Sequence, residues 1–150
     1  MDAIDLRLVE LLRDNARVSF AELARKVGLS APAVHERVGK LESSGVIRGY
    51  RADVAPEPIG LGVTALIGIV EESTANPDDV IEALRELPEV EACYFLAGPE
   101  SFQLMARVGT IAELEQLVMR LSRTPGVAAT RTTIALSTKW ENRPQPIPRK

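Results

Sequence analysis

The second half of the sequence contains an internal repeat, which restricts the possible folds more than any other feature. A shift of 37 residues superposes Val80 on Leu117, Ile81 on Val118, Leu84 on Leu121, Pro88 on Pro125 and Val90 on Val127. Each copy combines a helical apolar stripe with strand-like flanks. Two such units in tandem predict the order β-α-β-β-α-β, the split ferredoxin-like arrangement with both helices on one face of the sheet.

The boundaries of these elements follow from local signals. Asn76 and Thr110 precede the two helical stripes and predict helix starts there. Val63 to Val70 is a continuous apolar run, typical of a strand that is buried on both faces. The sheet face without helices should meet another surface, and its apolar residues predict at least a homodimer. Further strands are predicted over Val90–Leu96, Phe102–Val108 and Val127–Trp140.

The first fifty residues predict three short helices. Ser19 and Ser30 are expected to cap the second and third helices, and Gly28 suits the left-handed end of the second. Pro32 falls in the first turn of the third helix, where its missing N–H costs nothing. A short strand is predicted over Val46–Tyr50. Apolar stripes mark the first helix (Ile4, Leu8, Leu11, Leu12) and the third (Val34, Val38, Leu41).

The chain thus has an α+β organisation with two unlike parts. Residues 1–50 form a helical domain, and Pro56, Pro58 and Gly60 indicate a linker over 51–61. Residues 62–140 form the ferredoxin-like domain, and 141–150 an extended tail that contains three prolines. A length of 150 residues with 45% apolar residues is compatible with two small domains.

The composition excludes several classes of function. The single cysteine, Cys93, rules out an internal disulfide, and the single histidine, His35, leaves almost no ligands for a metal site. We expect a buried Cys93 and a partly exposed His35. The sequence contains no nucleophile–base pair and no glycine-rich phosphate loop, so no enzyme is predicted. No apolar run spans a bilayer and the first residues are acidic, which predicts a cytoplasmic protein without a signal peptide.

The three helices fit a helix-turn-helix, in which the second helix of the motif enters the major groove of DNA. Residues 19–27 would cross the DNA backbone and residues 30–43 would form the recognition helix. Segment 13–48 carries seven basic against four acidic residues, although the whole chain has a net charge of –3. The candidate DNA-binding residues are Ser19, Ser30, Ala31, Pro32, Ala33, Glu36, Arg37, Lys40 and Arg48.

These residues have different expected roles. Ala31 and Ala33 are small enough for close approach to bases, Arg37 suits guanine or phosphate, and Lys40 suits phosphate. Ser19 and Ser30 would hold phosphates with hydroxyls and helix-start amides, and Arg48 would contact the flanking backbone. Two alternatives stay open at this point: a three-helix bundle that binds nothing, and a Glu36 that only pairs with Lys40.

Three stretches of the sequence resemble the Lrp/AsnC family, also called feast/famine regulators. The first is Ile4 to Arg17, and the second runs from Glu22-Leu23-Ala24 to Val27-Gly28-Leu29-Ser30. The third is Val34-His35-Glu36-Arg37-Val38-Gly39-Lys40-Leu41-Glu42, continuing as Gly45-Val46-Ile47-Arg48-Gly49-Tyr50. The resemblance implies a transcriptional regulator with a winged-type helix-turn-helix that binds double-stranded DNA on the nucleoid.

The resemblance also implies a C-terminal domain that oligomerises, with dimers assembling into octamers, and that senses a small molecule, commonly an amino acid. No other cofactor is implied. The family's effector lies at contacts between dimers, near the turn between the middle strands and near the last strand. That turn often has the sequence Gly-Asp-Tyr-Asp, and both aspartates are absent here. The implied effector residues are Gly98, Pro99, Glu100, Ser101, Thr130 and Thr132, with Arg131 between the threonines.

Two other functions remain possible for such a chain. An architectural DNA-binding protein would share the helix-turn-helix but would have no effector. Some relatives of this architecture resemble sirohaem decarboxylases, but here the only histidine, His35, lies in the recognition helix and none lies in the sheet domain.

Overall fold

The structure, a computed structural model, describes residues 1–148 and divides into two compact units. Met1–Asp53 and the described part of the tail from Trp140 form the helical unit, and Val54–Lys139 forms the sheet unit. The division after Asp53 falls within the linker that the sequence predicts over 51–61.

The helical unit contains α1 (Ala3–Asp14), α2 (Phe20–Val27) and α3 (Ala31–Ser43). Ser19 and Ser30 accept hydrogen bonds from Glu22 N (3.2 Å) and Ala33 N (3.3 Å), so both predicted caps are confirmed. Gly28 has a φ of 71°, the left-handed conformation that lets the chain turn between α2 and α3. The three helices enclose one core made of Leu8, Leu11, Leu12, Leu23, Ala24, Val34, Val38 and Leu41.

The sheet unit has the predicted β-α-β-β-α-β order. A single 3-10 turn, Glu57–Ile59, precedes β1 (Val63–Glu71). The elements that follow are α4 (Pro77–Arg85), β2 (Val90–Phe95), β3 (Phe102–Val108), α5 (Ile111–Ser122) and β4 (Val127–Ala135). The four strands are antiparallel in the order β2-β3-β1-β4, which confirms the split ferredoxin-like arrangement.

Only one face of this sheet is covered in the sheet unit. Alternate residues of β1 and β3 are buried together with the apolar stripes of α4 and α5. The other face carries Leu66, which is 42% exposed, and its direct partner Met105, which is half-buried. The expectation that β1 is buried on both faces is therefore wrong for the single chain. The fully covered face consists of Ala65, Ile67, Ile69, Phe102, Leu104, Ala106 and Val108.

Three further predictions are wrong. Val46–Tyr50 forms no strand, because the helical unit, as far as residue 148, contains no strand with which it could pair. The backbone there bends between Gly45 (φ 74°) and Gly49 (φ 147°). The last strand ends at Ala135, five residues before Trp140, where its pairing with β1 ends. Cys93 is exposed on the edge strand β2, whereas His35 is exposed as expected.

Candidate DNA-binding and ligand-binding sites

The buried residues and the charged residues of the recognition helix α3 lie on different sides of the helix. Val34, Val38 and Leu41 face the core, and Glu36 and Lys40 are exposed. Ser30 and Pro32 are exposed at the start of the helix, and Ala31 and Ala33 are half-buried there. This arrangement leaves small side chains at the N-terminal end of α3 and charged side chains further along it.

The two basic residues of α3 have carboxylate partners of different kinds. Lys40 Nζ lies 2.7 Å from Glu36 Oε1, four residues away on the same helix, which confirms the expected pair. This hydrogen bond lowers the pKa of Glu36. Arg37 Nη1 lies 2.7 Å from carboxylate oxygens of both Asp5 and Asp2, a contact that the sequence did not predict. The hydrogen bond to Asp5, followed by that to Asp2, raises the pKa of Arg37.

A basic groove lies between the C-terminal half of α1 and residues 46–51, the segment that follows α3, in the helical unit. It has a volume of about 500 Å³, and Arg13, Arg48 and Arg51 line it together with Tyr50. Within residues 1–148 these three arginines have no carboxylate partner, and no acidic side chain lines the groove. Sequence reasoning selected Arg48 but missed Arg13 and Arg51, because they are 38 residues apart.

The predicted effector turn is held onto the sheet by Glu100. A Cβ atom at Gly68 would lie 2.7 Å from Glu100 Cγ, so Glu100 crosses β1 directly over this glycine. Glu100 Oε1 accepts a hydrogen bond from Arg131 Nη1 on β4 at 2.5 Å. The Glu100 side chain is only 16% exposed. Gly98, Pro99 and Ser101 complete the turn, and Ser101 N donates to Ile69 O at 2.7 Å.

The other two predicted effector residues lie on the opposite face. Thr130 and Thr132 pair with Ile69 and Ile67, whose side chains are buried under the helices. Arg131 pairs with Gly68 and therefore faces the open side with Glu100. Residues of a strand alternate between faces, so the expected grouping of Thr130 and Thr132 with the turn is not seen in this chain. Sequence reasoning missed Gly68, although a glycine inside an apolar strand signals a close approach.

The described residues contain neither a membrane-spanning helix nor a cluster of metal-binding side chains. None of the helices within residues 1–148 is long and apolar enough to cross a membrane. The same part of the chain contains no cluster of three or more His, Cys, Asp or Glu side chains suitable for a metal ion.

Comparison with known proteins assigns both units. Residues 1–42 match the AsnC-type helix-turn-helix domain, and residues 63–145 match the Lrp/AsnC ligand binding domain. The chain is 42% identical over 148 residues to the HTH-type transcriptional regulator LrpA of Mycobacterium tuberculosis, covering 99% of this chain and 97% of that protein. It is 39% identical to the proline dehydrogenase transcriptional activator of Rhodobacter capsulatus, covering 91% of this chain and 90% of the relative.

A solved structure gives the same result. A feast or famine regulatory protein from M. tuberculosis, complexed with L-methionine, superposes with a TM-score of 0.90 at 41% identity. The superposition covers 96% of this chain and 97% of that protein's chain. The fold, the matched domains and these relatives define the chain as a transcriptional regulator with a DNA-binding and a ligand-binding domain. It belongs to the Lrp/AsnC family.

Proposed function

We propose that this regulator binds double-stranded DNA through α3 and controls genes of amino-acid metabolism in the cytoplasm, on the nucleoid. The exposed polar side of α3, which follows a glycine turn and a serine cap, carries the proposal. Arg37 belongs to the same helix, but its guanidinium already has two carboxylate partners. The remaining proposed contacts are Ser19, Ser30, Ala31, Pro32, Ala33, Glu36, Lys40 and Arg48.

The basic groove extends this DNA-binding surface. Arg48 was expected to contact the DNA backbone beyond the recognition helix, and Arg13 and Arg51 line the same groove. Three guanidinium groups that form no ion pair within residues 1–148 can attract phosphates, and such contacts fix the orientation of a protein on DNA. In a symmetric dimer, two recognition helices would meet half-sites about 34 Å apart, or a multiple of that distance.

The DNA-binding proposal is tested by fluorescence anisotropy on DNA from upstream of the protein's own gene. We expect tight binding to this DNA, weaker binding to a scrambled sequence, and a shift of affinity when a pool of amino acids is added. Equal binding to both DNAs would favour an architectural protein instead. An absence of binding at moderate salt would contradict the proposal.

We further propose that the effector is an amino acid bound beside the turn at Gly98–Ser101. The carboxylate of Glu100 can accept an ammonium group, and Arg131 next to it can bind a carboxylate, so the pair offers both complements of a zwitterion. The relative solved with L-methionine and the relative named as an activator of proline dehydrogenase support an amino-acid signal. Thr130 and Thr132, on the other sheet face, could contribute to such a site only from another copy of the chain.

The effector proposal is tested by thermal shift with single amino acids, beginning with L-methionine. We expect a rise of the melting temperature with at least one amino acid, and loss of that rise in Glu100→Gln. Glu115→Gln is the matched control, since Glu115 is exposed on α5 outside the turn. A response that survives in Glu100→Gln would place the effector elsewhere.

The oligomer is proposed to form through the open sheet face. Its apolar residues leave a surface that single chains rarely expose to water. We expect a dimer, and octamers built from dimers, in light scattering. Leu66→Lys should dissociate the dimer, because it places a charge in that face. Ile134→Lys is the control: Ile134 is also 42% exposed but lies on the opposite side of the sheet. A dimer that survives Leu66→Lys would contradict this interface.

A further inference from the structure

Arg37 and two acidic residues of α1 form a closed hydrogen-bond network. Arg37 Nη1 donates to Asp2 Oδ2 and Asp5 Oδ1, both at 2.7 Å. The two remaining carboxylate oxygens accept backbone bonds: Asp2 Oδ1 from Asp5 N and Asp5 Oδ2 from Asp2 N, both at 2.9 Å. These backbone bonds are the capping box of α1. All four carboxylate oxygens therefore have a donor, and the first turn of α1 is joined to the middle of α3.

The place of Arg37 on α3 fits this network. Arg37 follows Val34 by three residues, and Val34, Val38 and Leu41 form the buried stripe. It therefore lies at the flank of that stripe, beside α1, and its side chain is 32% exposed against 73% for Lys40. Its one positive charge faces two negative charges, so the cluster as a whole has no excess positive charge to attract a phosphate.

Lys40 is held in a different way. Its partner Glu36 is 68% exposed and lies one helical turn away, and such pairs contribute little to stability. Lys40 can therefore exchange Glu36 for a DNA phosphate at little cost. If Arg37 turned to a phosphate, it would leave Asp5, which is only 17% exposed, without its cation.

We propose that Arg37 is a positioning residue: it fixes the start of α1 to α3 and so holds the recognition helix in the orientation that DNA requires, while Lys40 contacts phosphate. The inference rests on the DNA-binding surface proposed above, and it replaces the sequence-based expectation that Arg37 itself contacts guanine or phosphate. It gives Asp2 and Asp5 the same positioning role as Arg37.

The salt dependence of DNA binding separates the two roles. Arg37→Gln and Lys40→Gln each remove one charge from the same helix of the full chain. Lys40→Gln should reduce the slope of log K against log salt by about one unit for each bound recognition helix. Arg37→Gln should leave the slope unchanged and weaken binding about threefold to tenfold at each salt concentration. A loss of slope in Arg37→Gln equal to that in Lys40→Gln would overturn the proposal.

The two possible roles of Arg37 predict opposite effects of Asp5→Asn on the affinity for DNA. Asparagine keeps an oxygen that can accept the backbone bond from Asp2 N but removes the negative charge from Arg37. If Arg37 positions α3, Asp5→Asn weakens DNA binding, and the double variant with Arg37→Gln binds no more weakly than Arg37→Gln alone. Arg37→Lys, which keeps a cation, should restore part of the affinity. Tighter DNA binding by Asp5→Asn would mean that Arg37 contacts DNA in competition with Asp5, and would overturn the proposal.

Thermal unfolding of the same proteins completes the test without DNA. Residues that share one network are coupled, so the melting temperature of the double variant should fall by less than the sum of the single changes. Additive losses would show that Asp5 and Arg37 act separately and would contradict the proposal. If the wild-type chain bound no DNA at all, the proposed function would fail, and this thermal cycle alone would decide whether the network holds α1 to α3.

Discussion

The exposed pairs of the helix-turn-helix and the pair at the candidate effector turn hold their charged side chains in different ways. In the helical unit, Glu36–Lys40 and Glu22–Lys26 are pairs four residues apart on one helix, and both are exposed. In the sheet unit, Glu100 of the turn and Arg131 of β4 are 31 residues apart and meet over Gly68 of β1. Local pairs cost little to open, which suits a surface that must exchange its partners for phosphates. A pair that joins a turn to β4 across β1 instead preserves a fixed geometry.

The largest expected effects come from the two hydrophobic cores, because each unit buries its own set of apolar residues. Leu8→Ala removes a side chain that is fully buried in the helical unit, and we expect a loss of about 2–5 kcal/mol from the stability of that unit. Hydrogen exchange should then show faster exchange in α1–α3 and unchanged protection of β1 and β3. Leu117→Ala, equally buried in the sheet unit, should give the reverse pattern. Joint loss of protection in both units would show that they do not unfold independently.

The fixed geometry of the sheet unit depends on Gly68. Gly68→Ala places a Cβ atom 2.7 Å from Glu100 Cγ, so Glu100 must move away from Arg131. We expect the free energy of unfolding to fall by about 1–3 kcal/mol and the response to amino acids to be lost. Gly62→Ala is the control, because a Cβ there meets no atom within 4 Å. Calorimetric titration with the responding amino acid measures both variants, and an unchanged affinity in Gly68→Ala would count against the Glu100 site.

Helix caps offer a smaller change that can be matched between the units. Ser30 caps α3 and Thr110 caps α5, each through a side-chain oxygen that accepts a backbone N–H bond. Replacement of either by Ala should cost about 1 kcal/mol in its own unit. Only Ser30→Ala should also weaken DNA binding, as measured by anisotropy. Equal DNA affinities for the two variants would show that the start of α3 does not contact DNA.

The smallest expected effect concerns Tyr50. Burial, followed by the hydrogen bond to Glu42 Oε1 at 2.7 Å, raises the pKa of Tyr50 to about 12 from a usual value of 10.0. A raised pKa contributes stability that is complete below pH 10 and is lost as the pH rises through 12. Because Tyr50 is nearly half exposed, the melting temperature of the wild-type chain should fall only about 1–2 °C more than that of Tyr50→Phe across this pH range. Melting temperatures that change equally with pH in the two proteins would contradict this assignment.

The sequence predicted contacts within one element far better than contacts between elements. The stripe Val34, Val38 and Leu41 and the Glu36–Lys40 pair follow from helical periodicity, and both are confirmed. The contact of Arg37 with Asp2 and Asp5 spans more than thirty residues and depends on how α1 crosses α3, which periodicity does not specify. For the same reason the sequence selected Glu100 but missed Gly68 beneath it.

Strand alternation limits how the predicted effector residues can combine. A strand that carries Arg131 to one face carries Thr130 and Thr132 to the other, so within one chain only Arg131 lies beside the turn at Gly98–Ser101. The strand predicted over Val46–Tyr50 does not form for a different reason. Its composition favours a strand, but strand formation requires a partner, and the described part of the helical unit contains no strand.

The glycine at position 68 has a consequence for attempts to change what this protein responds to. Redesign of ligand specificity usually starts from the loop that carries the polar groups, here Gly98–Ser101. The loop's acidic side chain can lie flat only because β1 leaves a gap of one methyl group beneath it. A loop transplanted from another regulator therefore needs the matching strand residue as well, and libraries for new specificities should vary positions 68 and 100 together.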